Sequence, residues 1–169
     1  GGEFTCTRNE WSRSSGANWY GNDTTRSAYT TQSGATACWT PNLPAAGEYE
    51  VFVWFTDSGD RDADAPYLVF HSGGATYGVR SDGYSVNQNE SPGSWVSIGT
   101  YNFDAGSGGS VFLQRYNNGT DPDEPPDLPS SEDWDDHYDY TCSDAVAFVP
   151  TGGGTINIHR SHRSEERRV

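Results

Sequence analysis

Apolar and polar positions alternate along this chain in short runs, and no window sustains a period of 3.6, so strands are expected throughout. The fullest run is Trp39 to Phe55, WTPNLPAAGEYEVFVWF. Pro41, Pro44 and Gly47 mark a turn, and Tyr49–Phe55 then reads as a strand rich in β-branched and aromatic side chains. Within it Tyr49, Val51, Val53 and Phe55 face one way, and Glu50, Phe52 and Trp54 the other. Both faces are largely apolar, whereas a strand of an open antiparallel sheet usually keeps one face wet. Phe52 and Trp54 therefore need a loop, a neighbouring chain or a ligand over them. Further strands are expected at residues 3–8, 35–40, 67–71, 75–80, 95–103, 110–116 and 145–149, and a last short one at Thr155–Ile158 after the Gly152–Gly154 link. Trp11 to Tyr29 reads as a polar excursion rich in Gly and Ser, and Asp57 to Pro66 as a loop dense in Asp.

Several motifs carry a resemblance. The run W-T-P-N-L-P-A-A-G-E-Y-E-V-F-V-W resembles the hallmark of the module at the C-terminus of golvesin and of xanthan lyases. Asp64-Ala65-Pro66-Tyr67 with His71 and Gly73-Gly74 is similar to a second motif of that family. Gly93-Ser94-Trp95, Gly99 to Phe103, Ala105-Gly106 and Gly109-Ser110-Val111 are similar to a third. Asp144-Ala145-Val146 with Phe148-Val149 matches its closing strand, with Ala147 where the family usually has Arg. The resemblance spans residues 4–119 and 142–150, and it implies a galactose-binding-like jelly roll. Strand count and turn signals independently favour a two-sheet jelly-roll β-sandwich over residues 1–150. Two segments fall outside the resemblance: an acidic Pro-rich insertion at 118–141, and residues 151–169, a Gly-linked strand with an Arg-rich tail. Between Asp121 and Asp139 the insertion carries nine carboxylates and four prolines. Charge and Pro should keep it extended unless a partner orders it.

Composition narrows the function. The net charge is −14, and all ten basic residues are Arg. Nucleic acids and anionic membrane surfaces are poor partners for such a chain, and no apolar run is long enough to span a membrane. The absence of Met suggests a mature fragment of an exported precursor, which places the protein outside the cell or on its surface. Three cysteines, Cys6, Cys38 and Cys142, then imply one bridge and a leftover thiol, against three reduced thiols in a cytosolic protein. The family's sandwich implies that the first and last strands pair, which would bring Cys6 to Cys142. Three glycosylation sequons, at Asn22, Asn89 and Asn118, are no more than chance supplies.

Sugar binding requires exposed aromatic faces with polar groups at their rims. Trp19, Tyr20, Trp54, Tyr67, His71 and Trp95 are the candidates. Trp39, Trp54 and Trp95 lie in expected strands and lean toward the core, while Trp19, Tyr20 and Trp134 lie in loops. Calcium is a possible cofactor, because alternating carboxylates suit a hard cation. Asp60, Asp62 and Asp64 offer one such set, and Asp133, Asp135 and Asp136 in the insertion another. The first set does not match an EF-hand loop, and a solvated acidic loop explains it equally well. No nucleophile elbow, zinc spacing or phosphate loop occurs, so a non-catalytic protein is expected. Two readings stand. One is a secreted module that attaches to polysaccharide or cell-surface glycan, as the resemblance implies. The other is a homo-oligomeric subunit of an extracellular filament or surface assembly. In the latter, Thr155, Ile156 and Ile158 would add to a neighbour's sheet, and Arg160, Arg163, Arg167 and Arg168 would meet the acidic insertion.

Overall fold

A computed structural model describes residues 11–13, 17–18, 20–22, 28–30, 35–57, 61–115 and 140–160. The strands in chain order are β1 (Ser12–Arg13), β2 (Ala28–Thr30), β3 (Thr36–Trp39), β4 (Gly47–Trp54), β5 (Tyr67–His71) and β6 (Gly74–Tyr77). They continue with β7 (Val96–Phe103), β8 (Ser110–Gln114), β9 (Thr141–Ser143), β10 (Ala145–Pro150) and β11 (Asn157–Arg160). No α-helix occurs among the described residues. The strand expected at residues 3–8 and the insertion, apart from its end at Tyr140 and Thr141, lie outside them.

Two four-stranded antiparallel sheets, ordered β11-β10-β4-β7 and β3-β8-β5-β6, form the sandwich, and a small sheet β1-β2-β9 flanks it. The chain changes sheet at most connections from β3 onward, as expected of a jelly roll. Alternation along each strand builds the core. Val51 and Val53 of β4, Val146 and Phe148 of β10, and Ile98 and Phe103 of β7 meet Trp39, Tyr67, Val69, Val111 and Leu113 of the facing sheet. In β7 the alternation breaks: Glu50 pairs with Thr100 but Phe52 pairs with Ser97, so a bulge at Ile98–Gly99 takes up an extra residue. The bulge lets Ile98 turn inward while Tyr101 and Phe103 keep their inward parity.

The cysteine expectation is corrected here. Cys142 lies in β9 as a buried free thiol, so the Cys6–Cys142 bridge does not form. Its premise fails at the sheet level, because β10 pairs with β4 and β11, and β9 pairs with β2. Cys38 is disulfide-bonded, and Cys6 lies outside the described residues.

A buried polar layer closes one end of the core. The amide of Gln88 treats Cys142 as a strand would: its Oε1 accepts from Cys142 N–H at 2.8 Å, and its Nε2 donates to Cys142 C=O at 2.8 Å. The same Nε2 donates to the Tyr67 hydroxyl at 2.9 Å. Beside them Arg61 Nη2 donates to Thr56 Oγ1, which lies 3.2 Å from Cys142 Sγ. Thr141 Oγ1 donates to Asp62 at 2.8 Å.

Burial has a pH consequence. It raises the Cys142 thiol above its ordinary value near 9, against smaller opposing effects of Arg61 and a hydrogen bond from Thr56. It also raises the Tyr67 phenol well above 10, with neighbouring Cys142 adding to the shift. Both groups hold their protons more tightly folded than unfolded. The unfolded chain releases them first, so stability is flat with respect to these groups below about pH 8 and falls above the unfolded values. The slope is at most ~1.4 kcal/mol per pH unit for each group. Urea unfolding between pH 7.5 and 10.5 should show this decline, and Cys142→Ala should remove its earlier step.

Candidate functional site

The outward face of β4 supplies the site. Trp54 ends that strand pointing away from the core, and Trp95 stands one residue before β7, which pairs with β4. A segment from the early excursion covers them. Ala17 exchanges two backbone hydrogen bonds with Asp57, both 2.9 Å. Asn18 C=O accepts from Trp54 Nε1 at 2.8 Å. Tyr20, in a 3-10 turn, donates its backbone N–H to Asp144 Oδ2 at 2.9 Å.

These anchors bring three rings together. Tyr20 and Trp54 lie 5.5 Å apart with planes at 75°, Tyr20 and Trp95 lie 5.1 Å apart, and Trp54 and Trp95 lie 5.3 Å apart at 73°. Such tilted and edge-to-face contacts fix ring geometry as well as adding packing energy. All three rings are half-buried, so each keeps surface for a ligand. Arg160 at the end of β11 places its guanidinium carbon 5.1 Å from the Tyr20 ring centre. Gly93 seats the covering segment: its φ of +69° suits glycine, and a β-carbon there would lie 2.5 Å from Asn18 Cβ.

The remaining candidates are placed elsewhere. Tyr67 is corrected from platform to core: it is 1% exposed, packs on Trp39 and accepts from Gln88. β5 is buried on both faces over Tyr67–Val69, so alternation could not say which ring faces out. His71 stacks on Tyr101 at 5.1 Å, away from the three-ring group in sequence and contacts. Its Nδ1 accepts from Gly73 N–H at 3.1 Å, so the neutral ring carries its proton on Nε2, which faces Thr76 Oγ1 at 2.8 Å. Trp19 lies outside the described residues, as do Trp134, Asp60, Asp133, Asp135, Asp136, Arg163, Arg167 and Arg168. Asp62 accepts from Thr141 Oγ1 and from Asp64 N–H, and Asp64 accepts from Ser85 Oγ. Among the described residues no group of three or more His, Cys, Asp or Glu is placed to hold a metal ion. Asn89 of the second sequon accepts from Arg61 N–H through Oδ1 and donates to Arg61 C=O through Nδ2, so the nitrogen that a glycan would occupy is already engaged with the backbone.

Thr155 and Ile156 are exposed in the link before β11, and Ile158 is 41% exposed within it. β11 pairs antiparallel with β10 of its own chain, from Asn157 opposite Phe148 to Arg160 opposite Ala145. Sequence reasoning did not bring Arg160 to the aromatic site, since only the β11–β10 register does so.

Fold and site together define an all-β sandwich module with a clustered aromatic surface. The profile of the Golvesin C-terminal domain matches residues 2–123, and the chain belongs to that family. It is 37% identical over 113 residues to a xanthan lyase of Bacillus sp. (strain GL1), a stretch that covers 67% of this chain and 10% of the lyase. A solved structure of Paenibacillus xanthan lyase superposes with a TM-score of 0.61 at 26% identity, over 83% of this chain and 11% of that one. The chain thus spans about a tenth of the lyases it matches. No described helix is long and apolar enough to cross a membrane.

Proposed function

We propose that this chain is a non-catalytic carbohydrate-binding module that acts outside the cell, holding polysaccharide on the surface formed by Tyr20, Trp54 and Trp95. The observation that carries the reading is the convergence of three half-buried rings from three separate segments, with the Trp54 ring tied to Asn18 C=O and the Tyr20 backbone tied to Asp144. Stacking on pyranose rings needs such rigid aromatic faces. Likeness to part of a lyase named for a polysaccharide supports the reading, because so small a share of that enzyme corresponds to an accessory piece.

Trp54→Ala should weaken retention in polysaccharide affinity gels at least about tenfold, since one stacking contact is worth ~1 kcal/mol and Tyr20 and Trp95 lose their support. Equal retention of wild type and variant would end the proposal. A second reading, a subunit of an extracellular assembly, draws on Ile156 and Ile158, 54% and 41% exposed beside the sheet edge that β11 forms. Sedimentation of the whole chain tests it, and a monomer at high concentration would exclude it.

A further inference from the structure

We infer that the sugar site continues along β4 from Trp54 over Phe52 to Glu50, so that it holds an interior stretch of an uncharged polysaccharide, several sugars long, rather than one terminal sugar; the inference rests on the sugar-site reading above. Strand geometry lays out the strip. Trp54, Phe52 and Glu50 alternate with the core residues Val51 and Val53, so all three share the outward face. Each stands about 6.8 Å from the next along the strand, a step comparable to one sugar with its linkage.

The flanking strands leave the middle of the strip open. Phe52 stands opposite Ala147 on β10 and Ser97 on β7, and neither side chain is long enough to cover a phenyl ring. The Tyr20 segment packs on Trp54 and Trp95, but no ring among the described residues packs on Phe52. Its side chain is half-buried, as that of Trp54 is. Farther along, the strip turns polar. Glu50 stands opposite Thr100, which is exposed. Glu50 Oε1 accepts from Ser97 Oγ at 2.9 Å, and Ser97 Oγ accepts in turn from Gly99 N–H at 3.4 Å. The carboxylate is thereby fixed beside the ring, and no donor among the described residues reaches its Oε2. A ring with a fixed acceptor at its rim suits a sugar: the ring takes the C–H face, and the carboxylate accepts from a hydroxyl in a charge-assisted bond.

The same groups set the class of ligand. Beyond Glu50, Glu48 adds a second carboxylate to the outward face of β4, where Thr151 Oγ1 donates to it at 3.0 Å. Neither β4 nor β7 carries a basic residue. A uronate lying along this strip would bring like charge within the ~8 Å over which salt screens it. Uncharged sugars meet only a stacking face, acceptors and hydroxyls.

The test uses the full chain, titration calorimetry and neutral oligosaccharides of graded length, from disaccharide to hexasaccharide, derived from glucans, xylans and mannans, with oligogalacturonates beside them. Affinity in at least one neutral series should rise about tenfold between the disaccharide and the tetrasaccharide. Phe52→Ala should remove that rise and leave disaccharide affinity unchanged. Phe52→Leu, which keeps the position apolar and the sandwich undisturbed, should do the same, because stacking needs the ring face. Glu50→Gln should weaken the longer oligosaccharides about threefold. No oligogalacturonate should bind more tightly than the best neutral series. Affinity independent of length, a rise that survives both Phe52 variants, Glu50→Gln binding every length as the wild type does, tighter binding of oligogalacturonates, or no binding to any neutral series would overturn the inference. So would Phe52 variants that weaken the disaccharide as much as the longer chains, since the ring would then only support Trp54. The two readings separate: if Trp54→Ala binds every length as the wild type does, the sugar-site reading is wrong. If it loses binding while both Phe52 variants keep the full rise, only the extension is wrong.

Discussion

Gln88→Ala is expected to lower the unfolding free energy by about 3–5 kcal/mol, a large part of the ~5–15 kcal/mol that holds a domain folded. The side chain is fully buried and serves three groups at once: Cys142 N–H, Cys142 C=O and the Tyr67 hydroxyl. Removing the amide leaves all three without that partner in a place water does not reach, each at a cost of ~1–3 kcal/mol, and it also leaves a cavity. Gln88→Glu sharpens the measurement. It keeps the volume and the acceptor, but at neutral pH it replaces the donor with a charge, so it should be as damaging as the truncation and should recover partly in mild acid. Urea denaturation followed by Trp fluorescence checks both, and a loss below about 1 kcal/mol would show that the layer is looser than its geometry.

Phe148→Ala should cost a similar ~3–5 kcal/mol by a different cause. The ring is fully buried at the centre of β10 and meets Phe103 edge to face at 5.6 Å and His159 at 6.1 Å. No polar group is orphaned, so the loss is transfer energy plus the residual cavity. Phe148→Leu should recover most of it, whereas no apolar residue should rescue Gln88→Ala. The comparison separates an end of the core held by hydrogen bonds from a centre held by packing. His159 joins Phe148 to the outer strand, so Phe148→Ala should also loosen β11, seen as faster amide exchange at Asn157–Arg160.

Much of the fold was legible because strand alternation is a local property. The two faces of Tyr49–Phe55 and the bounds of Tyr67–His71 follow from residue type and turn punctuation, as does the need to cover Phe52 and Trp54. β9 was not legible: Thr141, Cys142 and Ser143 show no apolar pattern and are buried by partners, chiefly Gln88, that lie far away in sequence. The β7 bulge was hidden for the same reason, since only pairing with β4 reveals the extra residue. Of the candidate rings, Tyr20, Trp54 and Trp95 converge. Tyr67 joined the core because a strand apolar on both faces gives no signal of which side is wet. Arg160 read as part of a basic tail, and its place beside Tyr20 depends on a register between strands that no local pattern encodes.

The site draws on Tyr20, Trp54, Trp95 and Arg160, which together run through most of the chain's length. Synthesis delivers them in that order, so a growing chain carries the rings well before their cation. The sheet edge is therefore covered last, when β11 has left the machinery that made it and paired with β10. A protease that trims the chain at the Gly152–Gly154 link would reverse that step, uncovering the outer edge of β10 and taking His159 away from Phe148.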